Sequence, residues 1–77
     1  MGKGHLIKRS VTLKGHRTSV SLEQAFWDVL DREVARHGTV SFSQLILEVD
    51  LDRGEVPLAS ALRVAALRLH GKHTDNT

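Results

Sequence analysis

The apolar residues change their period at Leu22, and that change restricts the fold more than anything else in the chain. Before it, Arg17-Thr18-Ser19-Val20-Ser21-Leu22 alternates, with Thr18, Val20 and Leu22 on one face and Arg17, Ser19 and Ser21 on the other. After it, Leu22, Phe26, Val29, Leu30 and Val34 recur at helical spacing. A short strand therefore runs straight into a helix. A lone strand cannot satisfy its own backbone. Something must pair with it, and its apolar face needs a cover.

A second alternating stretch precedes it. Ile7, Val11 and Leu13 share one side, with Arg9 breaking the pattern, and Lys14-Gly15-His16 makes a turn in which Gly15 can take positive φ. Residues 7–13 can form a second strand against 17–22, flank a ribbon, or stay a flexible arm. Ser21 followed by Gln24 is a capping-box pattern, so helix A is expected over 22–37, ended by Gly38. Ser41 followed by Gln44 repeats the signal. Phe42, Leu45, Ile46 and Val49 then line helix B, expected over 41–52 and stopped by Gly54. Pro57 suits a first turn, and Leu58, Leu62, Ala65 and Leu69 space a helix C over 57–70. The expected organisation is a flexible 1–6, one domain over 7–70 and a flexible polar tail over 71–77.

Size bears on assembly. A domain of 77 residues buries only about 60% of its unfolded surface when alone. There is no cysteine to staple it, and Phe26, Trp27 and Phe42 are its only aromatic residues. A homo-oligomer is the expected remedy. So short a chain leaves little room to wall a pocket, so an enzyme is not expected. Ser10, Ser19 and Ser21 lack a partner base in any catalytic spacing. No apolar run approaches the roughly 20 residues of a membrane span. No secretory leader is evident, and a cytoplasmic, nucleoid-associated protein is expected.

Charge is unevenly placed. Residues 1–20 carry five bases and no acid, residues 21–56 carry eight acids and three bases, and residues 57–77 carry three bases and one acid. A basic segment on an acidic body points to a polyanion facing the N-terminus. Lys8, Arg9 and Lys14 are candidate phosphate contacts, with His16 beside Arg17. Pairing the strand with its copy in a second chain would leave Arg17, Ser19 and Ser21 pointing out of a two-stranded ribbon. Such a ribbon fits the major groove of B-DNA. Arginine donates two hydrogen bonds to guanine, and serine serves several base edges. The plainer reading is an amphipathic edge strand with a solvated outer face.

The order strand, helix, glycine turn, capped helix resembles the ribbon-helix-helix DNA-binding family, that of the Arc and methionine repressors. KRSVTLKGHRTSVSLEQAFW over 8–27 and PLASALRVAAL over 57–67 are similar to a group of short bacterial members. That group carries a Gly-His-Arg-Thr-Ser stretch before helix A. The resemblance implies an α+β, mostly α fold. It implies an intertwined homodimer with an intermolecular antiparallel β-ribbon, and double-stranded DNA as partner. It puts base reading on Arg17, Ser19 and Ser21. It also implies a phosphate held at the start of helix B by Ser41, Phe42 and Ser43. The expected dimer core is Val20, Leu22, Phe26, Leu30, Leu45, Ile46 and Val49. Relative to a minimal member, residues 7–13 and helix C are additions.

The expected function is a sequence-specific transcriptional regulator. The alternative is an antitoxin or protein-interaction module, dimerising through this fold and docking a protein partner on helix C. His70 and His73 stand i, i+3, but no third ligand is fixed by sequence. No metal and no cofactor is expected.

Overall fold

The computed structural model describes residues 5–38 and 40–74. Two strands come first, β1 (Leu6–Leu13) and β2 (His16–Glu23), followed by three helices, α1 (Gln24–His37), α2 (Phe42–Asp52) and α3 (Leu58–Thr74). Of the three arrangements open to residues 7–13, the molecule adopts the strand. β1 pairs antiparallel with β2, with Ile7 opposite Leu22, Arg9 opposite Val20 and Thr12 opposite Arg17.

The turn explains why the pairing forms within one chain. Only Lys14 and Gly15 separate Leu13 from His16, and both take positive φ, 54° and 81°. A two-residue loop with that backbone matches the right-handed twist of the strands it joins. Glycine takes such a φ freely, whereas Lys14 takes it at a cost.

Alternation then sorts the two strands. Ile7, Arg9, Val11 and Leu13 face inward from β1, and His16, Thr18, Val20 and Leu22 from β2. Val11, Val20 and Leu22 are buried, and they meet Trp27 and Leu30 of α1, Ile46 of α2, and Leu62 and Ala66 of α3. Five of these side chains, Leu22, Trp27, Leu30, Ile46 and Leu62, are fully enclosed. Each contributes about 1.5–3 kcal/mol relative to an exposed state. The Trp27 indole also needs a polar partner, and its Nε1–H donates to the Ile7 carbonyl at 2.8 Å. That bond fastens β1 to α1.

The helix ends follow their residues, with two corrections. Gly38 closes α1 at φ 71°, its N–H donating to the Val34 carbonyl. Ser41 caps α2, its hydroxyl accepting the Gln44 N–H at 3.0 Å. The expected Ser21 cap of the first helix does not occur. Ser21 lies in β2 opposite Lys8, and Glu23 takes the N-cap position without a side-chain capping bond. Pairing with β1 holds the backbone extended through Glu23, two residues longer than the capping pattern suggested. The Glu23 carboxylate instead accepts from Arg63 of α3 at 2.9 Å. Helix C also differs in length: α3 runs to Thr74, through Gly71.

Candidate nucleic-acid interface

The side of the hairpin away from the core carries Leu6, Lys8, Ser10 and Thr12 from β1. From β2 it carries Arg17, Ser19, Ser21 and Glu23. Four neighbouring hydroxyls and two bases therefore share one surface. Ser10 stands opposite Ser19, Lys8 opposite Ser21, and Thr12 opposite Arg17. Directly opposed side chains in such a pair lie about 5 Å apart at Cβ. Lys8, Ser10, Thr12, Arg17 and Ser19 are exposed, and Ser21 is half-buried. The acid on this face, Glu23, is engaged by Arg63. Its pKa lies below the ordinary carboxylate value, first through a hydrogen bond from its own backbone N–H and then through Arg63. Neither Lys8 nor Arg17 forms an ion pair among the described residues. The face is hence positive, hydroxyl-rich and without carboxylate competition at its centre.

The other basic residues of the segment sit differently. Arg9 has the inward parity. Its two terminal nitrogens donate to the Asp31 carboxylate at 3.1 and 2.7 Å. Its guanidinium lies 4.5 Å from the Trp27 ring centroid and 5.4 Å from that of Phe42. Hydrogen bonding to Asp31 raises its pKa further, against a smaller opposing effect of burial. Arg9 thus ties β1 to α1 and α2, and it points to the opposite side of the sheet from Lys8. Lys14, in the turn, lies 3.6 Å from Asp50 of α2. Asp50 also accepts from Arg53 Nε at 2.6 Å. The Arg53 bond, with the charges of Arg53 and Lys14, holds the Asp50 pKa below its usual value. His16 is exposed at the foot of β2, opposite Leu13.

At the start of α2, Ser41 and Ser43 are exposed, while Phe42 is half-buried with its ring 6.0 Å from Trp27. The Ser41 hydroxyl is occupied by Gln44. Phe42 and Ser43 open the helix, so their N–H groups have no intrahelical acceptor. Because Arg9 meets Phe42 and Lys14 meets Asp50, α2 runs alongside β1 in the same direction. Of the expected core, Val20, Leu22, Leu30 and Ile46 are buried within the single chain, and Phe26, Leu45 and Val49 pack against them. Trp27, Val11 and Leu62 join that core.

A family model described as a ribbon-helix-helix domain matches residues 6–70. The chain belongs to the ribbon-helix-helix family. The matched span takes in both strands, α1 and α2, and reaches into α3. The strand-to-helix order of this member is thus that of a DNA-binding, non-enzymatic fold. No curated protein and no solved structure matches the chain.

The partners Asp31 and Arg63 are not legible in the sequence. Each meets its counterpart across more than twenty residues of chain, and no local pattern signals such a pairing. Among the described residues no cluster of three or more His, Asp or Glu is placed to hold a metal ion. The described part of the His70 and His73 pair is the His70 side chain alone. No helix among the described residues is long and apolar enough to cross a membrane.

Proposed function

We propose that this ribbon-helix-helix protein is a sequence-specific DNA-binding regulator of transcription acting as a homodimer. The single observation carrying the reading is the outer row of β2. Arg17, Ser19 and Ser21 stand at alternate positions on a surface turned away from the core, and Arg17 has no ion-pair partner there. In the proposed dimer the unpaired edge of β2 meets its copy, and the two β2 strands enter the major groove. Arg17 donates to guanine O6 and N7, and the two serines serve adjacent base edges directly or through water. Lys8 and the opening N–H groups of α2 at Phe42 and Ser43 supply phosphate contacts, Ser43 adding its hydroxyl. Lys14, still largely exposed beside Asp50, and His16, exposed despite its inward parity, lie at the tip of the hairpin and add contacts beyond the ribbon. Arg9 contributes by holding β1 on the body.

Selection of a preferred duplex from random sequence, followed by electrophoretic shift, tests the reading. The expected site is a two-fold repeat in which Arg17→Ala relaxes preference at one position of each half. Uniform loss over all sequences would assign Arg17 to phosphate instead.

The second reading, a protein-interaction module docking on helix C, draws on the open groove between α2 and α3. Leu45, Val49, Val56, Ala61, Val64 and Ala65 line it. Absence of any shift with DNA at moderate salt would favour it.

A further inference from the structure

β1 sets this chain apart from a minimal strand-helix-helix unit, and its outer row matches that of β2 in carrying two hydroxyls but has a lysine where β2 has an arginine. Lys8, Ser10 and Thr12 offer an ammonium and two hydroxyls. None of them presents the planar fork of Arg17; lysine, serine and threonine can serve base edges as well as phosphates, so position across the groove decides between the two. A lysine ammonium is a point charge and serine and threonine hydroxyls are short donors, a set well matched to phosphate oxygens.

Geometry separates the two strands in the same sense. Among the described residues the sheet has two strands, and β2 has one edge without a strand partner. Joining two copies through that edge places β2 and its copy in the middle and the two β1 strands outside. Four strands at about 4.8 Å spacing span roughly 14 Å between the outermost backbones. The major groove is about 12 Å wide. The central pair reaches the groove floor, and the outer pair meets the walls, where the sugar-phosphate backbones run.

We propose that β1 is a backbone-gripping strand, in which Ser10 and Thr12, beside Lys8, bind DNA phosphates on the groove wall while β2 reads bases. The assignment rests on the DNA-binding reading above. It adds two hydroxyl contacts that composition alone would file as solvated strand residues. Arg9, next in sequence to both Lys8 and Ser10, takes no part, because its parity sends it to Asp31 and Trp27.

The test compares a preferred duplex with a scrambled duplex over a range of salt concentrations. The proteins are the full chain and the variants Ser10→Ala/Thr12→Val, Thr12→Ser, Lys8→Ala and Arg17→Ala, each checked for native circular dichroism. The double variant is expected to weaken binding about tenfold on both duplexes. Its salt dependence should be unchanged, because no charge is lost. Thr12→Ser, which keeps the hydroxyl, should bind as the unmodified protein does. Lys8→Ala should lower the salt slope by about one unit.

Loss on the preferred duplex alone would make β1 a base reader and overturn the proposal. No loss on either duplex would place β1 off the DNA and overturn it equally. A uniform effect of Arg17→Ala would instead remove base reading by β2 and leave the grip of β1 standing. If the unmodified protein bound neither duplex, both would fall.

Discussion

The two faces of the hairpin are made from the same sixteen residues and share no task. On the inner face, Val11, Val20 and Leu22 are buried, and the one cation, Arg9, is held by Asp31 and two aromatic rings. On the outer face, Lys8 and Arg17 stand among four hydroxyls with no ion pair among the described residues. Two arginines of equal charge, eight positions apart, therefore have different physical lives. Parity decides which is which. A slip of one residue in register would exchange the faces and drive Arg17 into the core. Arg9 and Lys14, anchored on α1 and α2, together with the Trp27 indole bond, oppose that slip.

The comparison is broken most severely from the inner side. Trp27→Ala should cost about 3–5 kcal/mol, a large share of a small domain's stability, and denaturant unfolding would show it. DNA binding should then disappear only as folding does. On the outer side, Arg17→Ala should leave the unfolding midpoint almost unmoved, within about 0.5 kcal/mol. Binding should weaken by about 1–3 kcal/mol per half-site. A large stability loss in that variant would show that the outer face is not independent of the core.

Arg9→Ala tests the boundary case. Removing the guanidinium strips the cation–π contacts and leaves Asp31 unpaired at a partly exposed position. The expected cost is about 1 kcal/mol, visible in unfolding, with DNA affinity unaltered once the folded fraction is counted. Gly15→Ala should cost a similar or slightly smaller amount, about 1 kcal/mol. An added Cβ there meets nothing within 4 Å, so the cost is one of backbone strain at φ 81°.

The mildest effect is on pH dependence. Asp50 and Glu23 have folded pKa values below their ordinary ones. Their contribution is therefore complete above the ordinary carboxylate range and fades as pH falls through and below that range. Asp50→Asn should flatten the acid limb of a stability profile recorded across that range. An unchanged limb would mean that the Arg53 and Lys14 pairings contribute nothing.

Much of the architecture is legible in the residues because its signals are local. The period change at Leu22, the Ser41 to Gln44 cap and the glycine after His37 each act within one turn of chain. Parity placed Arg17, Ser19 and Ser21 outward for the same reason. At the start of α1 a local signal meets a distant one, and the distant one prevails. Ser21 has the chemistry of a cap, but the ladder with β1 keeps its backbone extended. Arg9 breaks an apolar row in sequence, yet it belongs to that row. Its stem and planar head can lie on aromatic rings, and only the arrival of Trp27, Asp31 and Phe42 from two other elements makes this visible. The pairing of β1 is not legible in the residues because it depends on the Lys14 backbone, a non-glycine at positive φ that propensity alone disfavours.

The two-residue turn also governs the order of assembly. When a ribbon is made from one strand of each of two molecules, its formation waits on an encounter and slows with dilution. Here β1 and β2 are joined by Lys14 and Gly15, so their zipping is a first-order event. Hairpins of this kind close in about 1–10 µs. A hairpin alone is marginal, and docking of the helices is what retains it. Strand pairing between β1 and β2 is thus independent of how many copies of the protein a compartment holds, and only the proposed joining of two copies would be sensitive to scarcity.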